Sequence, residues 1–208
     1  MPGRAPRPWR RAAETALIAC LLASFAAAAQ SGSVDFGELT QAFRAFQENP
    51  SPETAADVQA LLPHEGRIKF DDSTQSRAAR EALDNTLPVL ETQIEAVDRD
   101  AIRLALNLVA VTEAPISESL DVMIGNLIPI DATVFLKELL RWRTQLQPRT
   151  LGQLVGTLGK EYADQGHAVV CAEIQRRIDA LLAVSEETLR EARDRCVDEL
   201  RQRRPRCG

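Results

Sequence analysis

The sequence predicts an all-α protein, and three observations carry that expectation. After residue 33, apolar side chains recur at three- and four-residue spacing, and no stretch sustains the two-residue alternation of a strand. Gly and Pro fall mostly between the periodic blocks. Ser and Asp stand where blocks begin, as helix caps do. Short links force neighbouring helices antiparallel, so the expected architecture is helical hairpins packed as an irregular bundle or a short α-solenoid of about 8–9 helices.

The first element is a processing segment. Arg4, Arg7, Arg10 and Arg11 form a basic start, Leu17 to Ala29 is an uninterrupted apolar or small stretch, and Ala27-x-Ala29 is a signal-peptidase pattern. Residues 1–29 are therefore expected to be a signal peptide, with residues 30–208 a single all-helical domain. Two other readings exist. Leu17-Ile18-Ala19-Cys20 resembles a lipobox, which would make the protein an envelope lipoprotein anchored through Cys20. Arg10-Arg11 resembles a twin-arginine signal, but the residues after it lack large apolar side chains.

The helices follow in order. Ser33 is placed to cap a helix to about Gln47, with Phe36, Leu39, Phe43 and Phe46 on one stripe. Ser51 caps a second, with Pro52 at its first position. His64 to Asp72 reads as a loop from which Ile68 and Phe70 turn inward. Asp72 or Ser73 caps a third helix, and Pro88 is expected to break or kink the chain, giving a fourth helix to Val97.

Ala101 to Val111 is apolar on nearly every face, which places it among other helices. Pro115 ends it and Ser117 is expected to cap the next, to Leu127. Pro129 then ends that one and Asp131 caps another. Three helices close the chain: Thr150 to Asp164, His167 to Val184, and a last one capped by Ser185. Glu186–Arg190, Glu191–Arg195 and Glu199–Arg203 are spaced as i,i+4 ion pairs, each worth ~0.2–0.5 kcal/mol. The succession helix, Pro break, helix, Pro break, helix over Arg99–Arg143 resembles HEAT or armadillo-type repeats, without their fixed period.

Charge and composition exclude some functions. Loss of residues 1–29 removes four arginines and one glutamate, which moves the net charge from −5 to −8 over the remaining 179 residues. An acidic chain lacks the basic footprint of a nucleic-acid binder. Gly152, Gly156, Gly159 and Lys160 suggest a phosphate loop. The pattern fails, because Leu154 stands where the first Gly belongs and Glu161 follows the Lys. Gly152 and Gly156 read better as a small face that lets another helix approach.

The carboxylate pairs Asp71-Asp72, Asp98 with Asp100 and Glu118 with Asp121 sit at helix starts, where capping is the expected role. His64 and His167 have no partner at zinc spacing. No catalytic, metal or cofactor motif is found, so the sequence leans away from an enzyme and implies no cofactor.

Cys171, Cys196 and Cys207 remain after cleavage, and export would favour a disulfide among them. Hairpin geometry makes Cys171–Cys196 the expected pair, with Cys207 able to fold back to either. The basic tail 201–208, with Arg201, Arg203, Arg204 and Arg206, suits a helix C-terminus and is also a candidate contact for anions or a membrane surface. The expected function is an exported, periplasmic or secreted, helical scaffold that binds another envelope protein. The alternative is a carrier for an apolar ligand held between Ile102 and Leu140, with Asn107 and Asn126 as polar handles.

Overall fold

The computed structural model describes residues 34–142, 148–159, 162 and 165–203, with the side chains of 148–150 excepted. The signal-peptide reading, the lipobox at Cys20 and the cap at Ser33 lie outside the described residues. Every element below belongs to the compact unit Val34–Gly208.

Helix α1 (Phe36–Glu48) is capped by Asp35, whose carboxylate accepts from the backbone of Gly37 and Glu38. Its stripe of Leu39, Phe43 and Phe46 is fully buried. Helix α2 (Pro52–Leu61) starts at Ser51 with Pro52 first, as expected. Ser51 and Thr54 close a reciprocal capping box.

Helix α3 (Thr74–Glu95) begins at the Ser73 cap and runs unbroken through Pro88, so the two helices expected there are one. Pro88 and the residue four before it, Asp84, are exposed, so the carbonyl freed by the missing N–H faces water. From α1, Gln47 braces the same region by donating to Ala82 O and Thr86 Oγ1. The helix ends in a Schellman arrangement, with Val97 N–H to Ile94 O and Asp98 N–H to Gln93 O. This places Val97 at φ 61°, where glycine is usual.

Helix α4 (Arg99–Val111) is capped by Asp98. Ile68 turns inward as expected, is buried, and pairs its N–H with Val111 O. Helix α5 (Ile116–Asn126) has Pro115 at its cap position instead of Ser117, with no side-chain cap. Proline loses no N–H there that the helix would use. Helix α6 (Ile128–Trp142) contains a break at Asp131, which caps the longer part by accepting from Val134 N–H.

Helix α7 (Pro148–Gly156) stops eight residues short of the expected Asp164. Helix α8 (His167–Leu182) follows, then a 3₁₀ turn (Glu187–Leu189) and α9 (Arg190–Arg203). Ser185 caps nothing. Glu186, left outside the last helix, pairs with Lys137 of α6 at 2.8 Å instead of Arg190, and Arg190 pairs with Glu187.

The described residues thus hold nine α-helices and no strand. They pack in two rows. The odd-numbered helices touch in succession, α1 to α3 to α5 to α7 to α9, and the even-numbered ones likewise, α2 to α4 to α6 to α8. Five chain-adjacent pairs bridge the rows (α1 with α2, α3 with α4, α4 with α5, α5 with α6, and α8 with α9), and only α9 against α6 reaches further along the chain among the extensive helix contacts. This is an all-α bundle in which alternate helices stack on one another. One apolar cluster runs from Leu39 to Leu200 through all of it.

Candidate functional site

The densest polar construction lies where α5, α7 and α8 meet, and its centre is Arg177. This side chain is the largest among those fully buried, at 0% exposure. It sits on the α8 stripe between Ile174 and Ile178, a position otherwise filled by hydrocarbon. Its Nε donates to Glu173 Oε1 (3.2 Å), and its Nη1 to the carbonyls of Val155 (2.8 Å) and Thr157 (3.1 Å). Its Nη2 donates to Asn126 Oδ1 (2.8 Å).

The helix-end carbonyls of α7 are therefore capped by an arginine from another helix, which accounts for the early stop of α7. Burial pulls the Arg177 pKa down, and the Glu173 carboxylate opposes it. An arginine stays protonated under such opposition. Glu173 is buried too and holds Arg176 with two further bonds.

Gly125 makes the junction possible. A Cβ there would lie 2.6 Å from Leu154 O and 2.7 Å from Arg177 Nη1. On the other side of α7, the expected small face is used as the sequence suggested. A Cβ on Gly152 would meet Glu199 Oε2 at 2.7 Å, and one on Gly156 would overlap the Arg203 guanidinium. Both contacts come from α9.

The tail arginines are accordingly part of the fold where described. Arg203 donates from Nη2 to Gly152 O at 2.6 Å, and Arg201 lies 3.8 Å from Asp198. Both belong to α9 and not to a separate tail. Arg204 and Arg206 lie outside the described residues.

The expected Cys171–Cys196 bond is not formed. Cys196 is a free thiol, fully buried on the α9 stripe, with burial pushing its pKa up to about 12. Cys171 takes part in a disulfide whose other half lies outside the described residues.

Two of the three carboxylate pairs are structural. Asp98 caps α4 while Asp100 pairs with Arg103 at 2.8 Å. Asp71 Oδ1 accepts from Ser73 N–H, and the Asp71 pKa is lowered by hydrogen bonding to the Ser73 side chain and then to its backbone. The third differs. Asp121 faces inward from the middle of α5, 4% exposed, and its Oδ1 has no hydrogen-bond partner. Burial, aided by the charge of Glu118, pushes its pKa up to about 7. A charge on this buried face is disfavoured, so the group keeps its proton well above the usual carboxylate range.

Sequence reasoning passed over Arg177, Glu173 and Glu138. Glu138 is buried and forked by Arg103 through Nε and Nη2, tying α6 to α4. All three were visible as charged residues falling on an apolar stripe. Among the described residues no group of three or more His, Cys, Asp and Glu side chains could hold a metal. No single described helix is long and apolar enough to cross a membrane, and α5 with α6, apolar enough together, are bent by 107°. Comparison with known proteins finds no matching family model, no matching characterised protein and no matching solved structure.

Proposed function

We infer that the protein is an exported helical scaffold that binds another protein of the cell envelope. The observation that supports this reading is the two-row stacking of α1 to α9, which builds extended lateral surfaces of the kind helical repeats use for binding. The basic start and apolar stretch of residues 1–29 support export. Ile130, Val169 and Leu182 are large apolar side chains left exposed and offer positions from which that surface can be probed.

The polar handles of the carrier reading are partly engaged within the protein: Asn107 donates from Nδ2 to Gln59 Oε1 at 3.1 Å, and Asn126 Oδ1 accepts from Arg177.

The test is photo-crosslinking from Ile130 and Leu182 in intact cells, with the chain fractionated and its N-terminus sequenced. A discrete adduct to one envelope protein, lost on Leu182→Asp or Ile130→Asp, supports the scaffold. A cytoplasmic chain with residues 1–29 retained, or no adduct from either position, overturns it.

A further inference from the structure

The end of α7, the first two turns of α8 and the last turn of α9 surround a half-open cavity of about 450 Å³. That lies within the usual range for small-molecule sites, on the order of 300–1,000 Å³. Its lining divides by chemistry. Leu158, Val170 and Ile174 supply an apolar floor, Val170 and Ile174 being one turn apart on α8. His167, Gln202 and Arg203 supply N–H donors, and no carboxylate lines it among the described residues.

Two details favour an anion at the polar side. Among the described residues Arg203, itself exposed, hydrogen-bonds through only one edge of its guanidinium, Nη2 to Gly152 O, and the fork has five N–H groups. His167 is exposed and opens α8. Gly166 before it has no side chain to accept the first-turn amides, so the positive end of the helix is left uncapped beside the cavity.

The geometry points to a binding site for a small aliphatic monocarboxylate, its carboxylate held by Arg203 and His167 and its chain laid over Leu158, Val170 and Ile174. A bare inorganic anion would leave the floor wet, and a neutral alcohol would leave the guanidinium edge unused. The assignment stands independently of the scaffold reading.

Octanoate is the probe, titrated into the full processed chain, with octanol and inorganic phosphate as comparisons. The chain has two histidines, so ring resonances report the site directly: His167 should shift saturably with octanoate while His64 stays still. Arg203→Gln should weaken octanoate binding about fivefold or more, as loss of a charge-assisted bond does. Arg203 also covers Gly156, so His167→Ala, at an exposed position, and Val170→Phe, which fills the floor, serve as second variants. Each should weaken binding while thermal unfolding stays unchanged. A His167 ring that does not respond to 10 mM octanoate, about the weakest binding of interest, overturns the site. So does octanol or phosphate binding as tightly as octanoate, or full affinity in His167→Ala and Arg203→Gln.

Discussion

Arg177 Nη2 on α8 reaches Asn126 Oδ1 at the end of α5, 51 positions earlier in the chain, at 2.8 Å. The same guanidinium closes the end of α7 and answers Glu173, so one side chain fixes three helices in register. Its removal leaves Asn126 Oδ1 and two carbonyls at the end of α7 without this donor and leaves the buried Glu173 carboxylate to Arg176 alone. Arg177→Ala should therefore lower unfolding free energy by about 3–5 kcal/mol, the range for breaking a buried ion pair. Arg177→Met with Glu173→Gln, which removes both charges, should recover a large part of the loss in urea unfolding. A double variant as unstable as the single one would mean that the carbonyl bonds dominate.

Asp121 gives stability a pH dependence of definite sign. Its folded pKa is raised from 3.8 to about 7, so between these values the folded chain keeps a proton that the unfolded chain gives up. Stability from this group is complete below about pH 4 and falls as pH rises toward 7, then levels off. Asp121→Asn should abolish that slope and leave the variant more stable at pH 8 by roughly 2–4 kcal/mol. Urea unfolding of both proteins from pH 4 to pH 8 measures it. Parallel profiles would refute the assignment.

Two glycines of the same region should differ in cost when replaced. At Gly125 a methyl group meets the Leu154 backbone, which cannot step aside, whereas at Gly156 it meets the far end of Arg203. Gly125→Ala should cost about 1–3 kcal/mol, the usual penalty for overpacking, and Gly156→Ala distinctly less. Thermal melts of the two variants rank them.

The thiols should behave unequally. Cys196 should resist alkylation in the native protein and react on denaturation, because burial keeps it both inaccessible and protonated. With Cys196 free and Cys20 within the expected leader, Cys171 should be found linked to Cys207 in non-reducing peptide maps of the processed chain. A Cys171–Cys196 peptide would contradict the free, buried Cys196 thiol.

Four of the nine helix starts were legible because capping is local. Ser51, Ser73, Asp98 and Asp131 announce themselves by side-chain oxygens ahead of apolar runs, and each holds its helix. What failed depended on distant partners. Pro88 lies on a solvent face, which one-dimensional reading does not reveal, and the end of α7 is set by an arginine from α8. Glu186 leaves its expected partner because Lys137 lies nearer in space. Of the candidate sites, the Gly152–Gly156 face was readable from side-chain size alone. The Arg177 junction and the α7–α8–α9 cavity needed three helices brought together.

The two-row stacking also bears on how the chain acquires its shape. Nearly every extensive helix contact joins neighbours or next neighbours in the sequence, so each helix docks on elements already synthesised just before it. A chain made amino-end first can then assemble progressively, without waiting for its far end. Only α9, which reaches back to α6 as well as to α7 and α8, must arrive last, and its docking completes the row.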